Sequence, residues 1–351
     1  MATKLVGLDI GTTMIRAAEV DLSGRAGATL GTLSKYAEVP LPAGSFIDGE
    51  VQDSSSTSAV LKQLWSKGGF STKDVVVGIG SARTVVREME VAEMPIDQLR
   101  KSLPFQVEEF LPMSTDEALL DFYPTGQADG ERGSKLRGVL VAASKHSVSN
   151  MILAIESAGL KPQGVDLKAF ALTRSLVPGQ WMNATVAIVD IGARTTTVAI
   201  VENGQPRLIR MLPSGGQEVT DAIAVATQLP QPDAENIKRR FGIAAANESG
   251  NKVTADAIVN TSKTLVESVR NTLMYYTGNN AGAVIQHGIL TGGGSLMPGL
   301  GQYLASACRL PVSFGNGAGT MKVSKRVQSA LAGRESLVAV AVGLGMSEVN
   351  R

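Results

Sequence analysis

Two short turns in the chain carry the residue types that grip anions and hold a divalent cation. The first, Asp9-Ile10-Gly11-Thr12-Thr13, ends an apolar run and is followed by Arg16. The second, Asp190-Ile191-Gly192-Ala193-Arg194-Thr195-Thr196, does the same 181 positions later, from 9 to 190. A strand that ends in Asp and turns through Gly and hydroxyl residues offers backbone amides and hydroxyls to an anion, with a carboxylate at the mouth. Two such turns, face to face, would hold a phosphate chain through Gly11, Thr12, Thr13, Gly192, Thr195 and Thr196. Asp9 and Asp190 repel phosphate, so their expected role is to hold Mg²⁺ through its waters, while Arg16 adds positive charge. One turn alone is also what a plain hairpin needs for its glycine; the repetition points to chemistry. A third element runs from a buried strand at Ile289 into Gly292-Gly293-Gly294-Ser295, where backbone can approach a flat purine.

Such turns need strands on both sides. Residues 5–20 read as strand, turn and strand, and residues 186–201 repeat them. The spacing is too long for a solenoid repeat and suits a duplicated domain, so the expected fold is α/β with two related lobes. Between the turns, 46–53 reads as a polar loop. Ser54 to Ser58 are placed as caps for a helix over 59–65, followed by strands at 75–79 and 85–91. A helix over 99–110, a strand at 118–123, a Gly-rich loop over 126–134, a strand at 139–143 and a helix over 147–158 form an α+β insert. The expected division is 1–93 with 163–185 as the first lobe, 94–162 as the insert, and 186–351 as the second lobe. In the last of these, helices are placed at 220–228, 234–241, 255–278 and 299–307, with a final helix at 336–346 packing back at the hinge. Residues 316–333 carry no readable pattern.

Bulk properties narrow the classes. With 33 basic and 32 acidic residues in 351, no overall field draws the chain to nucleic acid or to an acidic membrane. Cys308 is the only cysteine, which excludes an intramolecular disulfide and a thiolate cluster and suits a reducing compartment. His146 and His287 lie in no ligand-like spacing. The start of the chain carries no export signal, and the apolar run at 337–344 falls short of the roughly 20 residues a spanning helix requires. A soluble, cytoplasmic protein is the expectation.

Taken in order, these motifs resemble those of the actin/sugar-kinase/heat-shock-chaperone ATPase class. Asp9–Thr13 and Asp190–Thr196 stand where its two phosphate motifs lie, Gly292–Ser295 where its adenosine motif lies, and 170–176 and 337–345 where its connecting helices cross. Gly215-Gly216 with Thr220, and Ala234-Glu235-Asn236-Ile237-Lys238, are similar to the FtsA/PilM branch. There the resemblance implies that Glu235 and Lys238 approach ribose and adenine. The stretch PFQVEEFLPMSTDEALLDF, then VLVAAS and AGLKPQGVDLKAFALTRSL, resembles the 1C subdomain of the PilM family of type IV pilus assembly proteins.

That resemblance implies ATP and Mg²⁺ as cofactors and, as partner, the cytoplasmic N-terminal peptide of the membrane protein PilN. It also implies indirect recruitment to the inner face of the cytoplasmic membrane. Phe105, Phe110 and Leu111 are its candidate groove residues. Two departures bear on turnover: Ala193-Arg194 precede the second threonines, and no carboxylate is a clear base. Asp166 is the nearest one, with a helix cap as its other reading, so the expectation is at most a slow ATPase. A small-molecule kinase, an FtsA-like filament protein and a pure scaffold stand as alternatives. FtsA proteins anchor through a terminal amphipathic helix, which Ser347 to Arg351 is too short to form. Self-association into a homo-oligomer stays open.

Overall fold

The computed structural model describes residues 4–23, 30–130, 133–249 and 252–347. The expectations resting on Met1 to Thr3 and on 348–351 therefore lie outside the described residues. In the first lobe, β1 (Lys4–Ile10) and β2 (Met14–Asp21) form the anticipated hairpin, and β3 (Gly31–Pro40) adds to β2 antiparallel. A small hairpin of β4 (Phe46–Ile47) and β5 (Glu50–Val51) replaces the expected loop. It leads into α1 (Ser54–Gly68). The serines lie inside this helix; its cap is Asp53, whose side chain accepts from Ser56 N, because a carboxylate one residue upstream reaches the free amides first. Next, β6 (Asp74–Ile79) runs parallel to β1.

The insert follows. A three-stranded sheet is built from β7 (Val85–Ala92), β8 (Ala118–Gly130) and β9 (Gly133–Ser144), in the order β7-β9-β8, with α2 (Ile96–Val107) packed against it. The sheet thus begins at Val85, before the expected 94. The ribbon of β8 and β9 runs on through the stretch expected as a Gly-rich loop, past an irregularity between Pro124 and Gly126. Then α3 (Lys145–Ser157) returns the chain to the first lobe, where β10 (Lys161–Leu167) pairs with β6 and α4 (Lys168–Leu176) crosses to the second.

That second lobe opens with the meander β11 (Thr185–Ile191), β12 (Thr196–Glu202) and β13 (Gln205–Leu212). There follow α5 (Gly216–Thr227), α6 (Gln231–Phe241), α7 (Lys252–Asn279), β14 (His287–Thr291), α8 (Leu300–Cys308) and β15 (Val312–Phe314). The chain then leaves: β16 (Met321–Val323) pairs with β3 in the first sheet, α9 (Lys325–Leu331) packs beside it, and α10 (Ala339–Gly345) ends at the hinge. The range 186–351 is therefore not confined to one lobe.

Sheet order makes the duplication explicit. The first sheet reads β10-β6-β1-β2-β3-β16 and the second, reversed, β15-β14-β11-β12-β13. Each is an antiparallel meander with parallel strands added beside its first strand. Each buries its apolar face against its own helices, α1 and α3 in one lobe and α5, α7 and α8 in the other. Between the lobes lies a third cluster from α4, α10 and both sheets, joined by Val86, Val139 and Val141 of the insert against Ile209 and Met211 of β13.

At this crossing, the helices approach backbone to backbone. A Cβ on Gly343 would lie 1.9 Å from the Ala171 carbonyl oxygen, and one on Gly7 would lie 1.9 Å from that of Ala341. Arg174 Nε donates to the Gly343 carbonyl at 3.0 Å. Gly343→Ala should therefore push α4 from α10 and lower stability by about 1–3 kcal/mol, the usual range for overpacking. A urea unfolding midpoint equal to wild type would show that the helices can separate there without loss.

Candidate functional site

The two Asp turns are built alike. Gly11 N donates to Met14 O at 3.0 Å and Gly192 N to Thr195 O at 2.9 Å, closing loops of equal length between Ile10 and Ile15 and between Ile191 and Thr196. Leu41 N, donating to Thr13 O at 2.9 Å, pins the first turn to the strand after it. Thr12 and Thr195 are partly exposed and Thr13 exposed, as anion-facing hydroxyls require. Thr196 differs: it is fully buried and its hydroxyl donates to Ser214 O at 2.8 Å, so it braces the turn instead of facing a ligand. Arg194, the unexpected residue of this turn, points to α5, where it pairs with Asp221 at 2.8 Å.

Glycines bring three segments together behind the second turn. Gly292 adopts φ +84°, and a Cβ there would sit 2.5 Å from Asp190 Oδ1. One on Gly215 would lie 2.6 Å from Ala193 O, and one on Gly216 3.1 Å from Gly294 Cα. Gly293 has open space around it. The first amides of α5 are already used, Gly216 N by Gly192 O at 2.9 Å and Gln217 N by Ala193 O at 2.8 Å. Gly215 and Gly216 thus shape the wall, and the amides of Gly216 and Gln217 hold the turn.

Glu235 and Lys238 project from α6 toward the same wall. Lys238 Nζ lies 2.7 Å from Glu235 Oε2 and donates to Gly216 O and to Thr220 Oγ1, each at 2.9 Å. Thr220 Oγ1 donates to Glu235 Oε2 at 2.6 Å, and Arg239 Nε reaches Oε1 at 2.7 Å. Burial would raise the Glu235 carboxyl, yet the hydrogen bonds from Lys238, Thr220 and Arg239 outweigh it and hold it below the usual carboxylate range.

Across the cleft, Asp9 is buried at the end of β1, with Lys168 Nζ 2.7 Å from its Oδ1. Arg16, its cross-strand neighbour, is held by Glu38 of β3 at 3.1 Å, and Arg334 also reaches Glu38. Burial works against the Arg16 charge, and Tyr36, Asp9 and Glu38 more than restore it. Arg16 is therefore fixed in place and lends the cleft a field rather than a free hand. Asp190 is pushed up to about 6, first by desolvation and then by Asp9, with Lys168 and Arg16 opposing. Among the described residues no cluster of three or more His, Cys, Asp and Glu forms a protein-only metal cage. Two carboxylates that repel each other in a glycine-lined cleft fit a hydrated Mg²⁺ that arrives with phosphate oxygens.

Asp166 has partners on both of its carboxylate oxygens. Its Oδ2 pairs with Arg174 and accepts from Ser347 Oγ at 3.0 Å, and its Oδ1 accepts from Leu167 N at 2.7 Å. Oδ2 thus ties α4 to the end of α10, while Oδ1 is held by the backbone just before α4. The candidate partner residues divide: Phe105 is 83 % exposed on α2, Phe110 lies under the Arg87 guanidinium at 4.7 Å, and Leu111 packs into the insert's core. None of the three lines the groove between first lobe and insert, where Glu50, Ser81, Arg83, Thr84, Ser144 and Ser147 are joined by the apolar Ile79, Ala143, Val148 and Met151. There Glu50 Oε1 takes Arg83 at 3.0 Å and Ser147 Oγ at 2.7 Å.

Lys168 and this groove are what the sequence reading lacked. Recognising β10 would have supplied Lys168, since parallel strands end at one edge and a long side chain after β10 can reach across the end of β6 to that of β1. The Asp190 environment also sets a pH dependence. Its folded carboxyl titrates near 6 against an ordinary 3.8, so the folded state holds the extra proton between these values and loses stability as pH rises through them. Asp190→Asn removes that loss, which is at most about 3 kcal/mol at about 1.4 kcal/mol per unit. The metal-free variant should gain on wild type in denaturant midpoint between pH 4.5 and 7.5; a constant difference across that range would contradict the assignment.

The fold and the sequence both have relatives. A family model described as type IV pilus assembly protein PilM matches residues 7–349. The solved PilM-PilN type IV pilus biogenesis complex is similar at 24% identity with a TM-score of 0.86, covering 99% of this chain and 100% of that one. MreB5 of Spiroplasma citri bound to ADP is similar at 13% identity with a TM-score of 0.54, over 97% of this chain and 94% of that one. The cell division protein FtsA of Bacillus subtilis is 22% identical over 264 residues, which is 70% of this chain and 59% of that protein. The chain thus spans less than two thirds of that relative's length. The likeness to solved structures at these identities establishes the actin-like ATPase fold, and since the family match runs through both lobes and the insert, the chain belongs to the PilM family of type IV pilus assembly proteins.

Proposed function

We propose that this chain is the cytoplasmic, ATP-binding member of a type IV pilus inner-membrane platform, binding Mg²⁺ and ATP between its lobes and a PilN N-terminal peptide between first lobe and insert. The observation that carries the first half is the convergence of Asp9, Asp190 and the glycine-lined wall on one cleft. In this reading Gly11, Thr12, Thr13, Gly192 and Thr195 face the phosphates, while Gly292, Gly293 and Gly294 border the base. Glu235 and Lys238, already locked together, present a fixed edge to the ribose. Asp9 and Asp190 take the waters of Mg²⁺, which neutralises phosphate charge when bound. ADP in the related fold of MreB5 supports the same use of the cleft.

Retention of nucleotide suits this site better than fast turnover. Activating water needs a free base, and here Asp9 is engaged by Lys168 and Asp166 by Arg174. The second half of the proposal rests on the groove. Its lining mixes hydroxyls and the Arg83–Glu50 pair with Ile79, Ala143, Val148 and Met151, and its roughly 30 Å³ holds little more than a water, so an extended peptide would lie along its rim, where Arg83 is exposed. No helix among the described residues is long and apolar enough to cross a membrane, so attachment to the platform would run through that peptide. Exposed Phe105 and Phe110 remain candidates for further contacts of the insert, outside the groove.

Calorimetric titration with Mg·ATP, and separately with a synthetic PilN N-terminal peptide from the same organism, tests both halves. Asp190→Ala should abolish micromolar nucleotide binding and leave the folded protein competent for peptide. Arg83→Glu, reversing the groove's charge, should weaken the peptide by about tenfold or more, the equivalent of one lost charged contact, and spare nucleotide. Wild-type protein that bound no ATP would leave only a scaffold. Peptide affinity indifferent to Arg83→Glu would move the docking site elsewhere.

A further inference from the structure

Lys168 sits at the first Asp turn with its stem against the end of β6, the strand that leads into the groove. It opens α4 where β10 ends, and its side chain is only 15% exposed. The ammonium lies 2.7 Å from Asp9 Oδ1 and donates to the Ile10 carbonyl at 2.7 Å, so it sits at the first Asp turn. The aliphatic stem lies across the end of β6. A Cβ on Gly78 would come within 2.9 Å of Lys168 Cγ, and one on Gly80 within 3.5 Å of its Cβ. Only glycine at 78 leaves room for this stem. The chain then passes directly from Gly80 into Ser81, Arg83 and Thr84, which line the groove.

Without metal, the ammonium is the nearest positive charge to Asp9 and also eases the ionisation of Asp190. A divalent cation and a polyphosphate entering the cleft change both of its electrostatic partners: Asp9 gains a stronger counter-charge, and phosphate oxygens offer the ammonium a new acceptor. A head that moves must carry its stem, and the stem is packed so closely on Gly78 that a Cβ there would clash, two residues before Gly80 at the edge of the groove. We propose that Lys168 is the positioning residue through which Mg·nucleotide in the cleft changes the peptide affinity of the groove. This rests on the reading of the two sites given above and adds the residue that joins them. Coupling of this kind is reciprocal, so peptide in the groove alters nucleotide affinity by the same factor.

The test measures peptide dissociation constants by calorimetry with and without Mg·ATP, and Mg·ATP constants with and without peptide. Wild type should show equal ratios in both directions, of about fivefold or more. Lys168→Met keeps the stem and removes the charge; both ligands should still bind, with the ratio falling to near one. Lys168→Arg, which restores the charge, should recover part of it, and Lys161→Met, on the exposed start of β10, should leave it at the wild-type value. Lys168→Met with an undiminished ratio overturns the proposal and leaves the two sites standing. A wild-type ratio of one overturns it as well. Wild type that binds neither ligand removes the sites themselves, a separate and recognisable failure that takes the proposal with it. Should Lys168→Met not fold, hydrogen exchange on wild type decides: Mg·ATP alone must change protection of the Gly80 to Thr84 amides, and unchanged protection overturns the coupling.

Discussion

Two carboxylates of like charge, Asp9 and Asp190, are held in one desolvated cleft, and much of the architecture answers to that. An isolated pair of this kind would take up a proton or separate. Here the lobes cannot separate freely, because α4 and α10 cross with glycine against carbonyl and share the Asp166–Arg174–Ser347 clamp. Positive charge is instead brought in from outside the turns: Lys168 from α4, and Arg16 steadied by Glu38, which Arg334 holds from the far end of the sequence. The two carboxylates are thereby balanced by side chains that the turns themselves do not supply.

Rigidity is distributed unevenly around it. Behind the second turn, amides and glycines interlock across three segments, and Thr196, Ser214, Thr220, Glu235 and Lys238 continue the network through α5 and α6. Around the first turn, backbone bonds close the loop, but the charges set against it are carried by the long side chains of Lys168 and Arg16, which have other conformations available at modest cost. Nucleotide recognition thus has a stiff wall on one lobe and an adjustable one on the other. The adjustable one continues into the insert.

The turns that build the cleft were legible because they are written in short, contiguous words: an Asp-Ile-Gly turn twice, and a triple glycine after a buried strand. Helices with a strong apolar period, α3, α5 and α7 among them, were legible for the same reason. What escaped has a physical cause in each instance. The strand β10 contains Pro162 and Gly164 and pairs through an irregularity, so its composition argues against a strand that its neighbours nonetheless impose. Half-polar faces hid β3 and β13, and β16 is three residues long and means nothing without β3 beside it. The groove is assembled from Glu50, Ser81 to Thr84 and Ser144 to Ser147, and no local pattern announces a surface made from three distant pieces. The partner of Asp166 is equally hidden, since Arg174 stands two turns further on and nothing local announces their pair.

The pairing of β16 with β3 has a consequence for how the protein is made. Residues 321–323 complete the edge of a sheet whose other strands lie between residues 4 and 167, and α10 fills the face that β1 and β2 leave open. On a ribosome the first lobe must wait, its edge and part of its apolar face unsatisfied, until the whole of the second lobe's sheet has emerged. Contacts so distant along the chain are slow to close and leave strand edges open to wrong partners in the interval. Two lobes that resemble separate domains in architecture are thereby bound into one assembly event, and the nascent chain has reason to need chaperoning until its last helix is out.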